Sequence, residues 1–148
     1  MPPSDRRHTP RSVLVTGGAG FIGSNFLLRM VARRSDVYFV NLDALTYAGN
    51  LRNLAAIEKA PNYTFVRGDI TNPDVVREVV RRHEITTVVH FAAESHVDRS
   101  ILAPLGFVRT NVDGTAVLLE AVREYWAGRE SLTRFVHVST DEVFGSLG

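Results

Sequence analysis

Short β-branched runs alternate with segments of helical spacing along this chain, and the alternation leaves few folds open. The strand-like runs fall at residues 13–15, 37–40, 63–66, 87–91 and 134–138. A helix is predicted behind an Asn72 cap and Pro73, and another from Pro104 to Trp126. Parallel β-α-β units produce this order, and strands buried on both faces appear as continuous apolar runs. We therefore predict an α/β fold, a doubly wound parallel sheet of about five strands with helices on both faces.

Composition narrows the class of protein. The 148 residues suit one domain, and 17 Lys+Arg against 16 Asp+Glu give a net charge of +1, which argues against an electrostatic grip on nucleic acid or anionic membrane. The apolar runs are too short to span a membrane, and the lack of cysteine excludes disulfides, thiolate metal sites and a cysteine nucleophile. Residues 1–11 are rich in proline and arginine without an apolar core, so we expect a flexible tail rather than a secretory signal. We therefore expect residues 12–148 to form one soluble, cytoplasmic domain.

A glycine-rich segment follows the first strand-like run. It satisfies G-x-G-x-x-G at positions 18, 20 and 23, and the wider G-x-x-G-x-x-G spacing at Gly17, Gly20 and Gly23. Glycine is needed where backbone approaches a pyrophosphate and where a helix packs closely on a strand, and the amides that open that helix attract phosphate. Many tight turns match such a pattern by chance, but here a strand precedes it and a helix follows. The predicted sheet is therefore of the Rossmann type.

The next strand ends carry residues that suit the rest of a dinucleotide, because ligands of open parallel sheets bind beyond the carboxyl ends of the strands. Asp43 lies twenty residues past Gly23, where an acid accepts hydrogen bonds from the adenosine ribose. No arginine follows it directly, which favours NAD over NADP. Asp69 could hold the adenine amine and Ile70 its face, and the small residues at 92–95 leave room for a cofactor. Each alone is more often an ordinary loop, but four in this order indicate a dinucleotide site.

The fifth strand leads into Ser-Thr-Asp-Glu-Val-Phe-Gly at residues 139–145. Adjacent side chains on a strand point to opposite faces, so Asp141 and Glu142 can serve one ligand only if the backbone leaves strand geometry, which a turn ending at Gly145 would permit. Neighbouring carboxyls beside a cofactor suggest an acid and a base, while a solvated acidic loop fits the spacing equally well.

Three histidines raise the alternative of a metal site. His90 and His137 lie on strands expected to be neighbours, and His96 is near in sequence. Metal sites in proteins need roughly three or four converging ligands. Histidines on strands beneath a helix are more often satisfied core residues, so we expect no metal.

At this point the residues resemble a known family. The glycine segment, the Asp69-Ile70 pair and the Ala92-Ala93 pair are similar to those of the extended short-chain dehydrogenase/reductases that act on nucleotide sugars. Residues 43–50, 92–100 and 139–143 resemble the 4,6-dehydratases of that family, and the likeness extends over residues 12–148. The Thr-Asp-Glu triplet is its most specific part, because sister epimerases and decarboxylases usually lack the acid pair.

This resemblance implies an NAD-dependent lyase that converts dTDP-glucose to its 4-keto-6-deoxy derivative by internal hydride transfer from C4 to C6 with loss of water. It implies that Thr140 hydrogen-bonds the C4 oxygen, that Glu142 removes the C5 proton, and that Asp141 protonates the departing C6 hydroxyl. Ser95 is implied to contact substrate as well as cofactor, and the full-length protein to form a homodimer. The residues implied to contact NAD are Phe21, Ile22, Asp43, Ala44, Leu45, Thr46, Asp69, Ile70, Phe91, Ala92, Ala93, Ser95 and Thr110.

The chain departs from the family pattern in two ways. Phe144 stands where a tyrosine is usual. The family's Tyr-x-x-x-Lys pair is missing, since no tyrosine is followed four residues later by lysine and the single lysine is Lys59. We therefore expect the N-terminal part of such an enzyme, inactive alone, without the later strands and the substrate domain. A 4-epimerase type of nucleotide-sugar dehydrogenase and a non-catalytic NAD-binding module remain as alternatives.

Overall fold

A computed structural model describes residues 8–96, 101, 103–129, 132–140, 143 and 145 of the chain. Within them lies a parallel sheet with the strand order β3-β2-β1-β4-β5. The strand-like runs of the sequence form this sheet, so the predicted parallel α/β architecture is confirmed. Its strands are β1 (Ser12–Thr16), β2 (Tyr38–Asp43), β3 (Tyr63–Arg67), β4 (Thr87–His90) and β5 (Arg134–His137).

Helices connect these strands. Helix α1 is Phe21–Arg33, a 3-10 turn spans Leu51–Leu54, and α2 is Pro73–Arg82. The cap predicted for α2 is present, because the Asn72 side-chain oxygen accepts hydrogen bonds from the amides of Asp74 and Val75 at 3.1 and 3.3 Å.

The long helix predicted between β4 and β5 is divided into three parts. A short α3 (Pro104–Phe107) leads into a π-helical turn (Val108–Asp113), which continues as α4 (Gly114–Trp126). Side chains of the π-helical turn and of α4 bind backbone groups here, since the Thr115 hydroxyl donates to the Asn111 carbonyl at 2.7 Å and the Asn111 amide binds the loop after β4. Such π-helical turns are common next to functional sites.

The core occupies both faces of the sheet, as the uninterrupted apolar strands predict. On β1, Val13 and Val15 pack with Leu27 of α1, while Leu14 faces the other way, against α2 and α4. This alternation follows from strand geometry and places a helix layer on each face. The carboxyl ends of β1 to β4 are thereby held at one edge, where their loops can meet.

Strand β5 differs from the expectation of strands covered on both faces. It is the last strand in the sheet order, and only Phe135 among its apolar side chains packs against the core, while Val136 is 39% exposed. Within the described residues its outer side has no paired strand, which explains the exposure. No helix in the described ranges is long and apolar enough to cross a membrane.

The described end of the predicted tail, residues 8–11, runs along the sheet. The His8 ring nitrogen Nε2 lies 2.7 Å from the Thr87 hydroxyl, and the Tyr38 amide donates to the Arg11 carbonyl at 2.9 Å. The second contact continues the pairing of β1 with β2 one residue before the start of β1.

Candidate functional site

At two positions of the turn after β1, the absence of a side chain lets backbone segments approach each other closely. Gly17 has a φ of +69°, and a Cβ atom there would lie 2.6 Å from the backbone nitrogen of Ala92. A Cβ on Gly23 would collide with the carbonyl oxygen of Gly17. The first turn of α1 therefore sits directly on the loop, and the loop sits directly on the residues after β4.

Asp43, at the end of β2, holds this loop in place. Its Oδ2 accepts a hydrogen bond from the Ala19 amide at 2.9 Å, and its Oδ1 accepts one from the Leu45 amide at 2.8 Å. The Ala19 carbonyl in turn accepts from the Asn50 amide at 3.0 Å. Each carboxylate oxygen can accept further hydrogen bonds, because an ionised carboxylate offers about four lone-pair positions. The carboxylate is thus fixed in orientation while it retains capacity for a ligand hydroxyl.

A cleft of about 120 Å³ opens at this edge of the sheet, between the loops that follow β1, β2, β3 and β4. Most of the residues predicted to contact the cofactor line it, while Phe21, Ile22, Gly23, Leu45 and Ser95 do not. The predicted residues on its wall are Gly17, Gly20, Asp43, Ala44, Thr46, Asp69, Ile70, Phe91, Ala92, Ala93 and Thr110.

Five lining residues were not among the predicted contacts: Leu42, Ala48, Gly49, Gly68 and Glu94. Their positions in the sequence could have indicated them, since each lies within a few residues of a strand end that was assigned to the site. A Cβ on Gly49 would lie 3.0 Å from Asp43 Oδ1, so the loop after β2 packs tightly on the carboxylate. Sequence spacing alone does not show which way such loop residues turn.

The two residues predicted at the adenine end differ in exposure. Asp69 Oδ1 accepts hydrogen bonds at 2.8 Å from both the amide and the hydroxyl of Thr71, which orients the carboxylate. Ile70 is only 4% exposed and belongs to the core cluster beside α4. A Cβ on Gly114 would lie 2.6 Å from the Cδ1 atom of Ile70, so most of this side chain is committed to packing.

His90 joins the loops on the other side of the cleft. Its Nδ1 lies 2.6 Å from the Thr16 hydroxyl, and its Nε2 lies 3.0 Å from the Thr115 hydroxyl. Because Thr115 donates its proton to Asn111, it can only accept from His90, which assigns the proton of the neutral ring to Nε2. Thr16 accepts from the Ala92 amide at 3.3 Å and donates to Nδ1. His90 is thus the satisfied core histidine favoured by the sequence.

Burial keeps His90 uncharged. The ring is 1% exposed, and this desolvation, with a smaller contribution from the charge of His137, lowers the pKa of His90 to about 4. The two rings face each other across neighbouring strands, with centroids 5.1 Å apart, as the predicted strand order requires.

The segment after β5 is described only in part. Thr140 is exposed, and the Val138 amide donates to the His90 carbonyl at 3.1 Å, so pairing with β4 continues past the end of the strand. The predicted acid and base, Asp141 and Glu142, lie outside the described residues.

A parallel sheet in this order, with a glycine-rich turn leading from β1 into a helix, defines the class of Rossmann-type dinucleotide-binding folds. Within that class, the sequence model of the family described as GDP-mannose 4,6 dehydratase matches residues 14–148, so the chain belongs to that family.

Relatives of known activity are similar over most of this chain. It is 55% identical over 139 residues to a dTDP-glucose 4,6-dehydratase of Xanthomonas campestris, a match that covers 91% of this chain and 39% of the relative. The same figures hold for a dTDP-glucose 4,6-dehydratase of Streptomyces niveus. The chain therefore spans about two fifths of the length of these relatives.

Solved structures of dTDP-glucose 4,6-dehydratases and of related epimerases are also similar to this chain. The dTDP-glucose 4,6-dehydratase of Bacillus anthracis, in complex with NAD, has a TM-score of 0.80 and 44% identity, and the match covers 93% of this chain and 40% of that one. The UDP-glucose 4-epimerase of Thermotoga maritima, with UDP-glucose, has a TM-score of 0.74 and 29% identity over 87% of this chain and 38% of its own.

Two glycines with positive φ allow a matched test of the loop contact. Gly128 has a φ of +77° but no atom within 4 Å of an added Cβ, whereas Gly17 meets the backbone of Ala92. We expect Gly128→Ala to lower the free energy of unfolding by about 1–2 kcal/mol through backbone strain alone. Gly17→Ala should cost about a further 1–3 kcal/mol because the collision cannot be relieved by a side-chain rotation. Urea unfolding of both variants measures the difference, and equal losses would contradict the close approach.

The pKa of His90 predicts a dependence of stability on pH. Unfolded histidine has a pKa of about 6.5, so between that pH and the folded value near 4 the unfolded chain binds more protons than the folded one. The contribution of neutral His90 to the free energy of unfolding is fully present above about pH 6.5. It is lost as the pH falls towards 4, and the free energy of unfolding then decreases by up to about 3 kcal/mol. Urea unfolding of the protein and of His90→Asn should show a flatter slope for the variant in that window. Ring NMR signals of His90 that titrate near pH 6.5 would contradict the assignment.

Proposed function

We propose that this chain is the cofactor-binding part of an NAD-dependent dTDP-glucose 4,6-dehydratase, a lyase that removes water from a nucleotide-activated glucose. The observation that carries the proposal is the cleft over the glycine loop, with the Asp43 carboxylate fixed at its wall. The identity of 55% to dTDP-glucose 4,6-dehydratases, and the NAD complex of the Bacillus anthracis enzyme, support the particular reaction. Residues 12–148 as the cofactor domain, behind a tail at 1–11, and a cytoplasmic location stay predictions.

The residues of the cleft fit a dinucleotide. The backbone of Gly17 approaches that of Ala92 so closely that no side chain can fill the space between them. Gly20 lines the cleft, and α1 begins at the next residue without a side-chain cap from the described part of the chain, so its first amides suit a pyrophosphate. Predicted contacts outside the cleft wall, Phe21, Ile22 and Gly23, form this first turn.

Asp43 would select NAD over NADP. The two backbone amides that bind its oxygens hold the carboxylate in place at the cleft wall, where it can accept from ribose hydroxyls. A 2′-phosphate at the same position would meet this negative charge, and no arginine follows Asp43 directly. The fixed orientation of the carboxylate thus supports the preference for NAD over NADP that the sequence pattern predicts.

Three consecutive residues would carry the reaction on the sugar. We assign Thr140 to hold the C4 oxygen, Glu142 to take the C5 proton, and Asp141 to give a proton to the departing C6 hydroxyl, with Ser95 contacting the sugar nucleotide. NAD, when bound, supplies the oxidant for C4 and the reductant for C6, so that it is regenerated in each turnover. A positioned acid or base of this kind contributes about 10²–10⁴-fold to the rate.

Two other functions differ from this proposal in testable ways. A 4-epimerase would share the cofactor cleft, but the identity to the Thermotoga maritima epimerase is 29%, and sister epimerases usually lack an acid pair such as Asp141-Glu142. A non-catalytic NAD-binding module would bind the dinucleotide without turnover. The missing Tyr-x-x-x-Lys pair keeps that alternative open for these residues alone.

The proposal includes a homodimer of the full-length protein. An apolar face of the helical stretch between β4 and β5 supports it, because these residues recur at helical spacing and are 46–82% exposed. Packing against the same face of a second copy would bury this stripe, as in other helix–helix interfaces. The stripe consists of Leu105, Val108, Val112 and Leu119.

Turnover by the full-length protein tests the reaction. Given dTDP-glucose and NAD⁺, we expect mass spectrometry to show loss of one water from the sugar nucleotide, and light scattering to give the mass of two chains. Glu142→Gln should slow the loss of water by about 10²-fold or more, because no other group is assigned to the C5 proton. This chain alone should bind NAD⁺ without turnover.

Conversion of the sugar to its C4 epimer without loss of water would contradict the dehydratase and favour the epimerase. Binding of NAD⁺ with no change in the sugar, in the full-length protein, would favour the binding module.

A further inference from the structure

A hydrogen bond outside the predicted site joins two loops of the cleft. The Tyr47 hydroxyl donates to Glu94 Oε2 at 2.9 Å, although the two residues are 47 positions apart. Tyr47 belongs to the loop after β2, and Glu94 follows β4 and lines the cleft. The Tyr47 ring also packs against His96, with ring centroids 5.5 Å apart, so this side chain is held at two points by the same segment.

The sheet order decides what this bond crosses. Strands β2 and β4 lie on either side of β1, and the glycine loop leaves the end of β1 between them. A direct bond between the loops after β2 and β4 therefore crosses the exit of β1. The residues that flank Tyr47, Thr46 and Ala48, line the cleft together with Gly17 and Gly20 of the glycine loop.

The Glu94 end of this contact is firmly anchored. The Asn111 side chain accepts from the Glu94 amide at 2.8 Å and donates to the Glu94 carbonyl at 2.9 Å, so it binds both backbone groups of that residue. Asn111 belongs to the π-helical turn, and its own carbonyl accepts from Thr115, which is bonded to His90. The Tyr47 end is more exposed, at 46%.

We propose that Tyr47 and Glu94 form a strap over the cofactor cleft, which has to open before the dinucleotide can leave. The inference rests on the proposed function, because a reaction that oxidises C4 and later reduces C6 of the same sugar needs the reduced cofactor to stay bound between the two steps. Tyr47 and Glu94 are thus positioning residues, which retain the cofactor and take no part in the chemistry.

Release of NADH from the full-length protein tests the strap. The protein is loaded with NADH and mixed rapidly with excess NAD⁺, and the change in NADH fluorescence gives the release rate. Tyr47→Phe removes the donor and keeps the ring, so we expect release about three- to tenfold faster, the range for loss of one hydrogen bond. Glu94→Ala should accelerate release similarly, and the double variant should be no faster than the faster single variant, because both changes break the same bond.

Tyr38→Phe is the matched control. Tyr38 is also a partly exposed tyrosine beside a histidine ring, that of His83, but it lies at the opposite end of β2 from the cleft. Removal of the Tyr38 hydroxyl should leave the rate of NADH release unchanged. Turnover should also come to depend more on added NAD⁺ in Tyr47→Phe than in Tyr38→Phe, because cofactor lost between the steps must be replaced.

The outcomes separate the strap from the proposed function. Wild-type protein that binds no NADH would overturn both. NADH binding with equal release rates for the wild-type protein and Tyr47→Phe, or with equal acceleration in Tyr38→Phe, would overturn the strap and leave the cofactor site intact. Thermal unfolding of each variant shows whether faster release reflects a general loss of stability, which would also count against the strap.

Discussion

The close approach of the Gly17 backbone to the backbone of Ala92 is the contact on which the site depends. It brings the exit of β1 against the exit of β4, and no side chain fits at position 17. The first turn of α1 is held just as tightly by the contact of Gly23 with the Gly17 carbonyl. The cleft lies where these loops meet, and Gly20, the residue before α1, is part of its wall.

Two sets of hydrogen bonds stiffen this arrangement from either side. On the β2 side, the Asp43 carboxylate binds the glycine loop and its own loop at once. On the β4 side, neutral His90 bridges Thr16 and Thr115, and Asn111 continues the connection to Glu94. The loops that form the cleft are thus fixed by hydrogen bonds within the chain itself, and such rigidity lowers the entropic cost of binding.

The sequence predicts the sheet and the glycine loop well, because both follow from local patterns. Apolar periodicity located the strands, and the glycine spacing located the loop, since each is a property of neighbouring residues. The π-helical turn and the Tyr47–Glu94 bond could not be predicted in this way, because each depends on the arrangement of segments distant in sequence.

Ile70 and Asp43 also make contacts with distant segments that local sequence patterns do not predict. Ile70 stands at the predicted strand end, yet its side chain is used for packing against α4, a contact that no local pattern reports. Asp43 was predicted from its spacing and its place at a strand end, but its hydrogen bond with the Ala19 amide appears only once the loop is folded over it. The exposure of β5 likewise follows from its place in the sheet, whereas its own sequence resembles that of a covered strand.

The affinity of the full-length protein for NAD⁺ and for NADP⁺, measured by calorimetry at one ionic strength, tests the central claim most directly. A fixed Asp43 carboxylate at the cleft wall predicts that NAD⁺ binds at least about tenfold more tightly, a difference of about 1.4 kcal/mol or more. Equal affinities, or tighter binding of NADP⁺, would contradict the assignment of Asp43 to the ribose. Failure of either dinucleotide to bind would contradict the cofactor site itself.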